Sequence, residues 1–351
     1  MIGAALPRGV LASLSAALLF GAGTPLAKLL LAQTSPWLLA ALLYLGSGIG
    51  LALLRGAART PAVQLAPAET GWLAAAIVAG GVAGPVLLMA GLAGMPASAA
   101  SLLLNAEGVF TALLAWFVFK ENFDRRVSLG MLAIVAGGLV LAWPGQASWP
   151  RWQSALCVAA ACLAWAVDNN LTRKVSLADA SWIAMIKGLA AGTTNLVLAL
   201  ALGAAWPPLS VVAAAGLVGF ASYGASLALF VVGLRELGTA RTGAYFSVAP
   251  FFGAVLAIAL LGEAVTAPLV AAGLLMAIGV ALHLSERHEH RHWHQALQHT
   301  HEHVHGAGDP HHDHVHVPPV APGTRHSHEH RHQPMSHSHP HYPDAHHRHE
   351  H

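Results

Sequence analysis

Long apolar stretches recur along the first 284 residues and constrain the fold more than any other feature of the sequence. A helix that crosses a bilayer needs about 20 apolar residues. Helices of a soluble bundle would each carry a charged stripe, and these stretches carry none. The sequence therefore predicts an all-α polytopic membrane protein. Its ten predicted transmembrane helices are Gly9–Leu31, Trp37–Leu54, Gly71–Leu92, Ala97–Phe119, Ser128–Trp143, Ser154–Thr172, Ser181–Gly203, Ser210–Gly233, Ala240–Gly262 and Ala267–Leu284.

Basic residues between the stretches indicate the orientation, because Lys and Arg accumulate on the cytoplasmic side. With both termini inside, only Arg151 faces outward. The first stretch runs to Leu31, which is too long for a signal peptide, so we expect it to stay in the membrane. We predict a multi-pass protein of the inner (plasma) membrane with cytoplasmic termini. The inward-facing basic residues are Arg8, Arg55, Arg59, Lys120, Arg125, Arg126, Arg173, Lys174, Arg235 and Arg241.

The membrane region contains an internal repeat. Residues 101–143 align with residues 243–285 at a shift of 142, which places Glu121 on Glu263. Each repeat has five predicted helices, and this odd number turns the second repeat upside down relative to the first. Inverted repeats of this kind are typical of transporters that work by alternating access. We predict a first repeat over 1–143, a periplasmic linker over 144–153, a second repeat over 154–284 and a tail over 285–351.

The two repeats share short motifs. The first helix of each carries an aromatic residue before a small one, Phe20-Gly21 and Trp165-Ala166. A glutamate closes the fourth helix of each, at Glu121 and Glu263. With these motifs, the repeats resemble the EamA-type drug/metabolite transporter superfamily. The resemblance covers about residues 9–284 and implies a transporter of small solutes, commonly an exporter, with cytoplasmic termini.

A proline is usual in the fourth helix of this superfamily. It is present in the second repeat as Pro250, whereas the first repeat has Gly108. We expect Glu121, Glu263 and Pro250 to have architectural roles.

Ionisable and amide side chains are scarce in the predicted spans, where their burial costs at least a few kcal/mol each. Glu107 is deep in the fourth span, so we expect it to line the solute pathway or to couple proton movement. Asp168 and Lys187 each lie about 8–9 Å inside the cytoplasmic boundary and are predicted to pair, either in the pathway or as a structural element. The predicted pathway residues are Asn105, Glu107, Asp168, Asn169, Asn170, Lys187 and Asn195.

Three further residues have simpler interpretations. Lys28 is close enough to the outer boundary to reach the headgroup region. Cys157 and Cys162 lie five positions apart in one apolar helix, and no other cysteine exists. We therefore expect neither a disulfide nor a cysteine zinc site.

The tail is rich in histidine: all 24 histidines lie at or after His283, and 23 of them follow residue 284. It has almost no aliphatic residues to bury, so a disordered tail is predicted. Imidazole binds Ni, Co, Zn and Cu, and clustered histidines bind such metals loosely without a fixed fold. The candidate ligands are His288, His290, His292, His294, His299, His301, His303, His305, His311, His312, His314, His316, His326, His328, His330 and His332.

Several functions stay open at this point. The core predicts a metabolite or drug-like efflux transporter, and the tail then buffers metal, attaches a partner, senses pH or is inert. The alternatives are a Ni, Co or Zn transporter regulated by the tail, and a membrane metal sensor or scaffold that transports nothing. No enzymatic motif and no nucleotide-binding loop is present, so an enzyme is not predicted. We expect no required cofactor and no nucleic-acid partner; the expected partners are the lipid bilayer and the solute, and a homodimer stays open.

Overall fold

The computed structural model describes most of the membrane region and part of the tail. The chain divides into two compact units, Met1–Glu286 and Arg287–His351. Glu121 and six candidate tail ligands, His288, His305, His311, His312, His314 and His316, lie outside the described residues. The described residues are 7–60, 63, 65–119, 125–142, 149–175, 179–237, 239–284, 289–294, 297–304, 325–332 and 335–340.

The described part of the first unit is helical. Two of its segments are π-helical, Ile77–Ala83 and Phe220–Ala225, and Arg173–Val175 is a 3₁₀ turn. The α-helices are α1 (Arg8–Leu30), α2 (Pro36–Ala58), α3 (Pro67–Ala76), α4 (Gly84–Ala93), α5 (Ala97–Leu103), α6 (Ala106–Phe119), α7 (Arg125–Ala142), α8 (Trp149–Thr172), α9 (Ala180–Ala201), α10 (Leu209–Gly219), α11 (Ser226–Leu237), α12 (Thr239–Phe246), α13 (Ala249–Leu261) and α14 (Ala267–Leu284).

Among these described residues, seven helical stretches are long and apolar enough to cross a membrane. Three shorter apolar helices are Ser128–Leu141, Ala249–Leu261 and Ala267–Leu282. This pattern is that of a polytopic membrane protein. The seven long stretches are Arg8–Leu30, Pro36–Ala58, Glu69–Ala93, Ala97–Leu114, Trp152–Thr172, Ala180–Ala201 and Leu209–Gly233.

Two stretches that the sequence predicts as single helices are broken. The predicted helix Ala97–Phe119 is divided into α5 and α6 by a turn at 104–105, where the Asn105 amide donates to the Leu102 carbonyl at 2.9 Å. The predicted helix Ala240–Gly262 is divided into α12 and α13 by a turn at 247–248. Pro250 follows in the first turn of α13, where its missing N–H costs no intrahelical hydrogen bond.

The predicted linker over 144–153 overlaps the start of α8, which begins at Trp149. Pro150 is the second residue of that helix. Its fixed φ angle suits a first helical turn, so it starts the helix instead of excluding it.

The helices of the two halves of the chain pack against each other. Helix α2 packs along α9, and α7 packs along α14. Helix α1 contacts α11 and α13, while α8 contacts α4 and α6. The α2–α9 contact depends on small residues: a Cβ built on Gly188 would lie 2.7 Å from the Gly48 backbone nitrogen. Small residues let membrane helices approach this closely.

The tail contains four described strands, where the sequence predicts no regular structure. They are β1 (Glu289–His294), β2 (Leu297–Val304), β3 (Arg325–His332) and β4 (Met335–Pro340). Strand β1 pairs with β4 and β2 with β3, both antiparallel. Disorder of the tail stays a prediction.

Gly188→Ala tests the close α2–α9 contact. The added methyl group meets backbone atoms on α2 that cannot rotate away, so we expect the substitution to destabilise the fold by about 1–3 kcal/mol. Gly56→Ala is the control, since nothing lies within 4 Å of its Cβ position and the change favours the helix. Thermal unfolding in detergent is the measurement. Equal melting temperatures for the two variants would contradict the packing.

Candidate functional site

An ion pair lies between two membrane helices. The Lys187 ammonium on α9 lies 2.6 Å from each carboxylate oxygen of Asp168 on α8. Thr172 donates its hydroxyl proton to Asp168 at 2.8 Å, and Lys187 also donates to the Thr172 oxygen at 3.2 Å. The Asp168 side chain is 7% exposed and that of Lys187 is 18% exposed. The structure thus contains the pair that the sequence predicts, with the lysine more accessible than the aspartate.

A second carboxylate, that of Glu107, contacts α8 one residue after Asp168. The Asn169 amide donates to Glu107 at 2.7 Å. Glu107 is the second residue of α6, directly after the break at 104–105, so its carboxylate lies at a helix N-terminus that favours negative charge. Asn169 is exposed and Glu107 is half-buried. Since Asn169 follows Asp168 in the chain, α8 connects the two carboxylates.

A backbone carbonyl in the first π-helical segment completes this region. The Gly80 oxygen accepts hydrogen bonds from the Trp165 indole at 2.9 Å and the Tyr44 hydroxyl at 3.0 Å. The same glycine lies directly against the Asp168 carboxylate, and any side chain there would collide with it. π-Helical turns are frequent at functional sites because they disturb the regular hydrogen-bond ladder.

Aromatic rings form the other side of the region. The Tyr44 ring lies 5.6 Å from that of Tyr223, which contacts Phe20 at 5.8 Å. Phe246 then contacts Phe20 at 5.4 Å and Phe230 at 4.9 Å. All five rings are half-buried. Tyr44 therefore joins an aromatic cluster to the polar group around Asp168.

Three predicted pathway residues hydrogen-bond to backbone carbonyls instead of the ionic group, which is formed by Asp168, Lys187 and Glu107. Asn170 donates to the Ala166 and Thr111 carbonyls at 2.9 and 3.4 Å. Asn195 is fully buried and donates to the Gly81 carbonyl at 3.2 Å, while Asn105 is buried beside its own turn. These contacts are those of residues that stabilise bent or broken helices.

Lys28 and Glu263 hold two helix ends. The Lys28 ammonium donates to the carbonyl of Leu92 in the last turn of α4 and to the carbonyl of Met95, which follows that helix. Such helix-end carbonyls have no partner within their own helix, so Lys28 satisfies them, and its closeness to the headgroups stays a prediction. Glu263 accepts from the backbone N–H groups of Ala97 and Ser98 at 2.7 and 2.9 Å, which caps α5.

A second ion pair joins α2 to the start of α9. Arg55 lies 2.7 Å from the Asp179 carboxylate, which also accepts from the Trp182 N–H at 2.9 Å. Burial alone would raise the pKa of Asp179. The hydrogen bonds from Ser181 and Trp182 and the charge of Arg55 outweigh that effect and hold the pKa below its usual range. Asp179 therefore remains ionised and caps α9 at neutral pH.

The remaining candidate groups are the cysteines and the potential metal ligands. Cys157 and Cys162 are free thiols, as the sequence predicts. In the part of the chain whose side chains are described, no three His, Cys, Asp or Glu residues converge as a metal site.

Comparison with known proteins identifies the fold. The profile of the EamA-like transporter family matches residues 7–143. Residues 7–143 are thus similar to the EamA-like transporter family. An uncharacterized transporter of Methanothermobacter thermautotrophicus is 31% identical over 195 residues, which cover 54% of this chain and 57% of the relative. A probable amino-acid metabolite efflux pump of Salmonella typhimurium is 36% identical over 86 residues, which cover 23% and 28% of the two chains.

The matched regions leave much of each relative uncovered. The chain spans 57% of the Methanothermobacter protein and 28% of the Salmonella pump. A solved crystal structure with 18% identity superposes at a TM-score of 0.60, over 80% of this chain and 96% of the other. That likeness extends the shared fold well beyond the EamA-like segment.

Two parts of the site were missed by the sequence analysis. Tyr44, Tyr223 and Phe246 receive no role from the sequence, whereas Phe20 and Trp165 are singled out. Arg55 serves there as an orientation signal, without Asp179 as its partner. A search for aromatic residues beside glycines in the spans would have found Tyr44 before Gly46 and Tyr223 before Gly224.

A double-mutant cycle tests the Asp168–Lys187 pair. Asp168→Asn leaves a lysine ammonium without its counter-charge, so we expect it to destabilise the fold by about 3–5 kcal/mol. The double variant Asp168→Asn with Lys187→Met removes both charges and should recover most of that loss. Unfolding in detergent at several pH values measures this coupling. Additive effects of the single changes would contradict a direct pair.

Proposed function

We propose that this protein is a secondary-active or facilitative transporter that exports small organic solutes across the inner membrane by alternating access. Its preferred solutes carry an ammonium group, a carboxylate or both. The observation that carries the proposal is the Asp168–Lys187 pair with Glu107 close by, inside helices long and apolar enough to span a bilayer. Intramembrane charges usually mark a substrate or ion pathway.

Two inverted five-helix repeats are part of this proposal. The helix breaks support it, since the turns at 104–105 and 247–248 are separated by 143 residues. The π-helical segments have the same offset, from Ile77 to Phe220. Contacts agree with it too, because each half packs its first helix against the third and fourth helices of the other. Pseudo-symmetry provides two related conformations, one open to each side.

The ionic group offers a way to recognise a zwitterionic solute. A solute ammonium can replace Lys187 as the partner of Asp168, and a solute carboxylate can then accept from Lys187. Each buried charge keeps a counter-charge during this exchange, so the desolvation cost is offset. The Glu107 carboxylate supplies a second acceptor for an ammonium group. Half-buried rings at Tyr44, Tyr223 and Phe246 provide an apolar surface for the remainder of the solute.

Breaks and π-turns next to these residues support a conformational change at the same place. A helix interrupted beside Glu107 bends there more easily than a continuous one, since its hydrogen-bond ladder is already open. The Salmonella relative named as a probable amino-acid metabolite efflux pump agrees with solutes of this class. We infer amino-acid metabolites as the first solutes to test.

Transport by purified protein in liposomes tests the proposal. Vesicles are loaded with a mixture of L-amino acids, and mass spectrometry follows their release. We expect release by the unaltered protein and a loss of about tenfold or more in Glu107→Gln and Asp168→Asn, equivalent to about 1.4 kcal/mol per tenfold. Glu69→Gln is the control, because Glu69 accepts from the Ala66 N–H at the α3 N-terminus and a glutamine can still accept there.

Two results would overturn the proposal. One is a protein that releases no amino acid from loaded vesicles. The other is a Glu107→Gln variant and an Asp168→Asn variant that both transport as well as Glu69→Gln. Release of cobalt, nickel or zinc from parallel vesicles would instead favour the metal-transport alternative.

A further inference from the structure

Three oxygen atoms surround the Lys187 ammonium near the end of α8. The two carboxylate oxygens of Asp168 each lie 2.6 Å from the Lys187 nitrogen, and the Thr172 hydroxyl oxygen lies 3.2 Å from it. A primary ammonium has three N–H groups, so it can donate one hydrogen bond to each of these acceptors. We call the three oxygen atoms the ammonium site. The number of its acceptors equals the number of donors on the group that it holds.

Thr172 belongs to the ammonium site through both functions of its hydroxyl group. The hydroxyl proton is donated to an oxygen of Asp168 at 2.8 Å, one helical turn earlier on α8. The hydroxyl oxygen keeps its acceptor capacity, and the Lys187 ammonium donates to it. Thr172 therefore orients the carboxylate and also supplies the third acceptor.

The ammonium site leaves little space around the nitrogen atom. Gly80 lies directly against the Asp168 carboxylate, so the π-helical segment closes that side of the site. Non-bonded heavy atoms such as carbon pack at about 3.5–4.0 Å from each other. A methyl carbon therefore cannot lie between a nitrogen and an oxygen that are 2.6 Å apart. Each N-methyl group on an ammonium would remove a hydrogen bond and would also move the nitrogen away from its acceptors.

We propose that the ammonium site makes the transporter selective for solutes with a primary ammonium group, and that Thr172 is a specificity-determining residue. This inference rests on the proposed exchange, in which a solute ammonium replaces Lys187 as the partner of Asp168. A primary ammonium satisfies all three acceptors after the exchange, as Lys187 does before it. A quaternary ammonium has the same charge but donates no hydrogen bond, so the acceptors stay unsatisfied. A site built to hydrogen-bond an N–H group discriminates strongly against an analogue that lacks it.

Recognition by charge and aromatic rings alone would give a different selectivity. Aromatic rings attract ammonium groups whether or not these are methylated. The Tyr44 ring, which lies 5.6 Å from that of Tyr223, would contribute such an attraction beside the ionic group. N-methylation keeps the charge of a solute and removes its hydrogen-bond donors. It therefore separates the two sources of recognition.

The first test fills the ammonium site without transport. Lys187→Ala leaves Asp168 without its counter-charge, so the purified variant should melt at a lower temperature than the unaltered protein. Propylammonium chloride can take the place of the missing side chain, and we expect it to raise the melting temperature in detergent by at least about 2 °C. Propyltrimethylammonium chloride at the same concentration should give no such rise. A variant that can be purified only in propylammonium, and not in the trimethylated salt, would show the same occupancy.

Thr172→Val in the Lys187→Ala background tests the third acceptor. Valine has the shape of threonine without the hydroxyl group, so we expect the apparent affinity for propylammonium to fall by about tenfold or more. Thr194→Val in the same background is the matched control. Thr194 is exposed on α9, and its hydroxyl donates to the Ala190 carbonyl of the same helix. We expect this control to leave the affinity unchanged.

The second test uses transport and does not depend on the folding of the Lys187 variant. Liposomes with the unaltered protein, Thr172→Val or Thr194→Val are loaded with L-amino acids together with their N-methyl and N,N,N-trimethyl derivatives. Mass spectrometry follows the release of each form. We expect the unaltered protein and Thr194→Val to release the primary form at least about tenfold faster than the trimethylated form. In Thr172→Val this preference should fall by about threefold or more, because one of the three acceptors is missing.

The outcomes separate this inference from the proposed transport function. Equal rescue of Lys187→Ala by both salts, or rescue by neither, would overturn the ammonium site, as would equal release of primary and trimethylated amino acids. Unchanged affinity and unchanged selectivity in Thr172→Val would overturn the role of Thr172. Release of no amino acid in any form would contradict the transport function, and the rescue by propylammonium would then still decide whether the ammonium site exists.

Discussion

Every polar group inside a bilayer must find its partner within the protein, and the arrangement around Gly80 follows from that constraint. The π-helical turn presents one carbonyl to two donors, Tyr44 and Trp165, that come from different helices. The absence of a side chain at Gly80 leaves room for Asp168, and Asp168 in turn holds Lys187. One local departure from α-helical geometry thus ties together residues from both halves of the chain.

Helix interruption and polar side chains occur together throughout the membrane region. Asn105 satisfies the turn before α6, and Glu107 occupies the first turn after it. Glu263 and Lys28 hold helix ends that would otherwise expose unpaired backbone groups. The turn at 104–105 costs backbone hydrogen bonds, and the Asn105 amide donates one in their place. This coupling explains why several of the few polar residues lie where the helices change direction.

The polytopic membrane character and the Asp168–Lys187 contact could be predicted from the sequence, because both follow from simple rules of composition. Apolar length located α2 to within a few residues, and scarcity of charge singled out Asp168 and Lys187. Breaks inside Ala97–Phe119 and Ala240–Gly262 were missed, since apolar composition continues across both turns. The close helix contact between Gly48 and Gly188 could not be predicted either. The chain has 35 glycines, and only their tertiary neighbours decide which of them allow two helices to approach closely.

We propose that the region around Glu107 and Asp168 lines a pathway that opens to each side of the membrane in turn. Asn169 is the best reporter, because it is exposed and bonded to Glu107. In a Cys157→Ala, Cys162→Ala background, Asn169→Cys is treated with a membrane-impermeant thiol reagent in vesicles of either orientation. We expect the reagent to label position 169 from both faces of the membrane, and we expect a transported amino acid to slow this labelling. Labelling from one face only, unaffected by any solute, would contradict it.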